Sequence, residues 1–212
     1  MAISPLPQND NPFDYPAYPM LDCQTHLIDL LKSLLPKDMR PRFFDNKGYL
    51  GGLISLFDSF TPHKGDEKEL QIFKNFISLL QSIETRHEET GDIPTDEIWK
   101  NLLKKGEAFL NVSILLTPNE FFKVTQSTLL SIERLIEGNS KLDHLKALGL
   151  ANGLKWTGYF DSPSPFASHL TSLCKALDNF SPNPCPSFDA ILKNPVVEEL
   201  KKLKEILAHI SV

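Results

Sequence analysis

Cysteine, histidine and acidic side chains at helical spacing are the residues of this chain that could bind a metal ion. Cys23 and His26 lie three residues apart, which puts both on one face of a helix. Zinc needs three or four ligands, so this pair is at most half of a site. Glu84 and His87 form a Glu-x-x-His sequence, which di-iron bundles contain twice and this chain contains once. We therefore expect no metal and no other cofactor.

A nucleophilic site would need a serine or cysteine beside a general base. The candidate pair is Cys174 with His169, but residues five apart on a helix point about 140° away from each other. Cys174 is therefore expected to pack in the core. The chain also contains no Gly-x-Gly-x-x-Gly and no Gly-x4-Gly-Lys-Ser/Thr phosphate-binding loop. No catalytic residue is predicted, and an enzyme with a dispersed active site is kept as the alternative hypothesis.

Composition and charge argue against several classes of partner. The 212 residues carry a net charge of -5 without a strongly basic segment, so nucleic acid is not an expected partner. The three cysteines include no Cys-x-x-Cys pair, which indicates a reducing compartment, and we expect a cytoplasmic protein. No apolar run approaches the roughly 20 residues that a membrane-spanning helix needs. The expected partner is a protein or a second copy of the chain.

Helices must position these side chains, because apolar residues recur at helical spacing along most of the chain. Residues 66–89 show the pattern most clearly, with one stripe made of Phe73, Phe76, Ile77, Leu80 and Ile83. The sequence Thr117-Pro118-Asn119-Glu120 is a capping box with proline at the first helical position, and it predicts a helix that ends at Gly138.

Glycines inside the predicted helices have two expected effects. Gly106 predicts a kink or break in the helix that passes through Trp99 and Leu102. Gly149 and Gly153 lie about one turn apart in a later helix, where the missing side chains allow a neighbouring helix to approach closely.

The predicted fold class is all-α: an irregular multi-helix bundle of about seven to nine helices with no significant sheet. We expect four segments along the chain. Residues 1–19 form a flexible Pro-rich N-terminal tail, 20–180 a helical bundle domain, 181–194 a Pro-rich linker, and 195–212 a C-terminal amphipathic helix that packs on the bundle or docks to it.

The C-terminal helix carries a narrow apolar row that we call the seam: Val196, Leu200, Leu203, Leu207 and Ile210. The row covers about 80° of the helix surface, which fits a single partner helix. Residues 166–180 have apolar residues at the same spacing, so an intramolecular hairpin is one explanation. Under the other explanation the seam is the partner-binding site, for a client helix or for a second copy of the chain.

The function expected from these observations is that of a non-catalytic helical interaction module, such as an adaptor, chaperone or regulatory subunit, that binds partners through apolar helix faces. The composition resembles that of small acidic helical proteins that serve bacterial secretion systems, although no motif ties the chain to one family. In the folded protein, a deep polar pocket with several ionisable side chains would favour the enzyme. A shallow apolar groove would favour the interaction module.

Overall fold

The computed structural model describes residues 18–19, 21–41, 47–60, 66–138, 140–157, 164–179 and 194–210. These residues form eight helices, which confirms the predicted all-α bundle and falls within the expected number. The helices are α1 (Leu21–Lys32), α2 (Lys47–Asp58), α3 (Glu67–Thr90), α4 (Asp96–Leu110), α5 (Pro118–Gly138), α6 (Lys141–Lys155), α7 (Pro165–Asn179) and α8 (Pro195–Ala208). Within the described ranges, no helix combines the length and the apolar character that crossing a membrane requires.

The predicted tail and linker fall almost wholly outside the described residues. Tyr18–Pro19 forms a two-residue strand, β1, which pairs antiparallel with β2 at Leu115–Leu116. Asn194, at the end of the predicted linker, accepts a hydrogen bond from the backbone N–H of Val196 and caps α8. The division into tail, bundle, linker and C-terminal helix therefore stays a prediction.

Helix ends follow from local side chains. The capping box at the start of α5 is confirmed: the Thr117 N–H donates to Glu120 Oε2 at 3.1 Å, and the Glu120 N–H donates to Thr117 Oγ1 at 3.2 Å. Gly91 ends α3 in the left-handed conformation, with φ 72°, and its N–H donates to the carbonyl of His87. The side chains that accept from the first backbone N–H groups of α3, α4 and α6 are Asp66, Thr95 and Ser140.

A cluster of phenylalanines joins α2, α3 and α4 in the core. The rings of Phe76 and Phe109 are stacked with centroids 4.6 Å apart, and Phe57 meets Phe109 edge-on at 5.5 Å. All three side chains are buried. The stripe predicted on residues 66–89 thus faces the core, and α3 contacts both α2 and α4.

Helices α2 and α6 cross with their backbones in close contact, because glycines from both helices meet at the crossing. A Cβ atom placed on Gly149 would lie 2.2 Å from the carbonyl oxygen of Tyr49, and one on Gly52 would lie 2.3 Å from the carbonyl oxygen of Lys146. A Cβ on Gly153 would lie 2.4 Å from Leu56 Cδ2. The close approach predicted at Gly149 and Gly153 is confirmed.

The break predicted at Gly106 was wrong, because α4 continues through this residue to Leu110. Gly106 is buried instead at the contact with α1, where an added Cβ would lie 2.8 Å from Ile28 Cδ1. The glycine therefore makes room for a neighbouring side chain, and the burial it permits offsets its low helix propensity.

Two buried polar side chains tie separate helices together. Gln24 on α1 donates from Nε2 to the carbonyls of Phe109 and Val112, at 2.8 and 2.9 Å, and so satisfies acceptors at the end of α4. His144 on α6 hydrogen-bonds through Nε2 to the carbonyl of Leu177 on α7. These hydrogen bonds link α1 to the end of α4 and α6 to α7, in a core that is otherwise packed from apolar side chains.

Candidate functional site

The structure places the seam inside the protein. Val196, Leu200, Leu203 and Leu207 are buried, and Ile210 is partly buried. Helix α8 lies against α7 and α5, so the row faces the interior as the intramolecular explanation predicted. Partner binding through the seam would require α8 to move away, and it stays a prediction.

Two charged contacts hold α8 on either side of the seam. His169 Nδ1 on α7 lies 2.8 Å from Glu199 Oε2, and Lys204 Nζ lies 2.8 Å from Glu133 Oε2 on α5. Glu199 and Lys204 flank the buried row on opposite sides, because each residue turns the helix by about 100°. The remaining face is exposed and charged, with Glu198, Lys201 and Glu205. Helix α8 is therefore an edge element with one side in solvent.

The thiols considered as nucleophiles or metal ligands are buried and protonated. Burial raises the pKa of Cys23 to about 12, with a smaller contribution from Asp22, and raises the pKa of Cys174 to about 11. His169 is bonded through Nδ1 to Glu199 on α8. Across the described ranges, no group of three or more His, Cys, Asp or Glu side chains could hold a metal ion.

His26 takes part in an aromatic contact between α1, α2 and α6. Its ring lies against Trp156 with centroids 3.3 Å apart, and Tyr49 meets the same indole edge-on at 6.4 Å. Burial lowers the pKa of His26, partly opposed by the Asp29 carboxylate. Burial also raises the pKa of Tyr49 to about 12, although its hydroxyl accepts a hydrogen bond from Asn152 at 3.2 Å. At neutral pH these groups are uncharged and serve packing.

The connection between α3 and α4 lies between two surface hollows. Residues 93–95, which we call the Ile93 ridge, line both of them. The larger hollow, with a volume of about 570 Å³, is completed by Lys37, Arg40, Asp96 and Glu97. The smaller, of about 260 Å³, is completed by Ile83, Arg86, Asp92 and Ile98.

Arg40 fixes the ridge in place. Its Nη1 pairs with Asp96 Oδ1 at 2.5 Å and donates to the Pro94 carbonyl at 3.4 Å, while Nη2 donates to the Leu35 carbonyl at 3.1 Å. The guanidinium lies 5.8 Å from the centroid of the Trp99 ring, and the residue is only 6% exposed. Two loops and the start of α4 are thus joined at one buried cation.

Five of the six charged groups around the ridge are paired with one another, which does not suit these five to proton transfer. The pKa of Asp96 is lowered, mainly because Arg40 donates a hydrogen bond to its carboxylate. This carboxylate is therefore a weak base at neutral pH. Lys37 Nζ lies 3.5 Å from Asp96, and Arg86 Nε lies 3.3 Å from Asp92.

Apolar side chains are exposed on both loops that Arg40 joins. Ile93 is 46% exposed, and Leu35 is 45% exposed. Because one guanidinium bonds the carbonyls of Leu35 and Pro94, the two loops lie side by side. Single exposed apolar residues are ordinary on a protein surface, and these two lie on adjoining loops.

Sequence reasoning missed both Arg40 and the ridge. The available signal was Ile93-Pro94, an apolar pair between Asp92 and Thr95 in a connection that is otherwise polar. Arg40 gave no signal, because its burial arises from a long-range pair with Asp96 and not from helical periodicity.

The chain was compared with protein families, with curated protein sequences and with solved structures. No family matches it, and no curated sequence or solved structure is significantly similar to it.

Proposed function

We propose that this chain is a non-catalytic helical interaction module, acting as an adaptor, chaperone or regulatory subunit, and that it binds a protein partner through the Ile93 ridge. The observation that carries the proposal is the half-exposed Ile93 side chain, which stands between two hollows on a loop fixed by Arg40. Burying a large aliphatic side chain of this kind is worth roughly 1.5 to 3 kcal/mol.

The ridge is held in one conformation before any partner arrives. The left-handed Gly91 ends α3 on one side, the Thr95 cap starts α4 on the other, and Arg40 bonds the Pro94 carbonyl between them. A loop that is already ordered loses little conformational entropy on binding, so more of the contact energy contributes to affinity. This is the property that a recognition loop needs.

Protein is the favoured class of partner because the surface offers apolar side chains and balanced charge. The two hollows are lined by three cationic residues, Lys37, Arg40 and Arg86, and by three anionic ones, Asp92, Asp96 and Glu97. A phosphate backbone would require a net positive surface. The cysteine usage supports a role in the cytoplasm.

The seam on α8 is the second surface that we propose for partner binding, and it would become available only if α8 left α7 and α5. The alternative of an enzyme with a dispersed site remains a hypothesis. The larger hollow is the place to test it, although three of its four charged groups are paired with one another.

Affinity capture with matched variants tests the proposal. Ile93→Asp places a charge on the ridge, and Leu130→Asp makes the same change at a leucine on α5 that is 44% exposed. We expect the wild type and Leu130→Asp to retain the same stoichiometric partner, and Ile93→Asp to lose it. The partner should then be purified and its affinity measured by calorimetry. Equal capture by all three proteins would overturn the proposed role of the ridge.

A further inference from the structure

We draw no further inference here: the strongest candidate, the surface patch formed by the exposed Ile93 and the two hollows beside it on the connection between α3 and α4, carries nothing beyond the proposed function, because nothing in the structure shows what covers it.

Discussion

Replacement of Gly149 by alanine should destabilise the protein, although alanine is the better helix former. The added Cβ would lie 2.2 Å from the carbonyl oxygen of Tyr49, roughly 1 Å short of van der Waals contact. The Cβ is bonded directly to the backbone of α6 and the oxygen belongs to the backbone of α2, so the conflict is relieved only if α2 and α6 move apart. Overpacking of this kind costs about 3 kcal/mol, and the higher helix propensity of alanine returns about 1 kcal/mol. We expect a net loss of about 2 kcal/mol.

Gly51→Ala is the matched control, because Gly51 lies on α2 but its added Cβ would meet Glu84 of α3 and no atom of α6. The nearest atom to its added Cβ would be Glu84 Oε1 at 3.1 Å, the end of a flexible side chain that can move aside. Here the helix propensity dominates, and we expect a gain of about 0.5 to 1 kcal/mol. The same chemical change should therefore have opposite signs at the two positions.

Urea denaturation followed by circular dichroism measures both changes, provided that the variants unfold with the same dependence on denaturant as the wild type. If Gly149→Ala is as stable as Gly51→Ala, the helices do not cross with their backbones in contact, and the reasoning from the glycine positions is refuted.

Three further predictions follow from contacts described above. Leu203→Asp should lower the free energy of unfolding by more than about 3 kcal/mol, because it places a charge in the core; an unchanged thermal midpoint with loss of partner capture would instead show that the seam binds the partner. The lowered pKa of His26 means that its imidazole binds a proton more readily in the unfolded chain than in the folded protein. The contribution of His26 to stability is therefore present above pH 6.5, where the imidazole is neutral in both states, and it is lost as the pH falls. The stability difference between the wild type and His26→Gln should shrink between pH 7 and pH 5 in denaturation curves, and a constant difference would contradict the lowered pKa of His26. Arg40→Met should cost about 1 to 3 kcal/mol and speed amide hydrogen exchange at residues 93–95, whereas unchanged exchange would show that Arg40 does not hold the ridge.

Local signals in the sequence predicted most of the helices. Thr117 and Glu120 form the expected capping box, and the helix that it begins ends at Gly138 as predicted. Such signals work because a cap satisfies backbone groups within a few residues of itself. The existence and approximate ends of helices are therefore readable without tertiary information.

Contacts between residues far apart in the sequence could not be predicted from local patterns. Gly106 has the sequence appearance of a helix break, but its role depends on Ile28, which packs against it from α1. Arg40 is buried because Asp96, Pro94 and Leu35 converge on it, and no spacing in the sequence encodes that convergence. The Ile93 ridge was missed for the same reason, since its position between two hollows results from the packing of separate segments.

The hydrogen bonds of Gln24 determine how far the chain can be shortened. A fragment that begins after α1 would leave the carbonyls of Phe109 and Val112 without the donor that serves them across 85 and 88 residues. It would also expose Gly106 on α4, which packs against Ile28 of α1 in the intact protein. Attempts to prepare a smaller protein for crystallisation or binding studies should therefore keep residue 21 onwards, and α1 should be treated as inseparable from the α4 region that it completes.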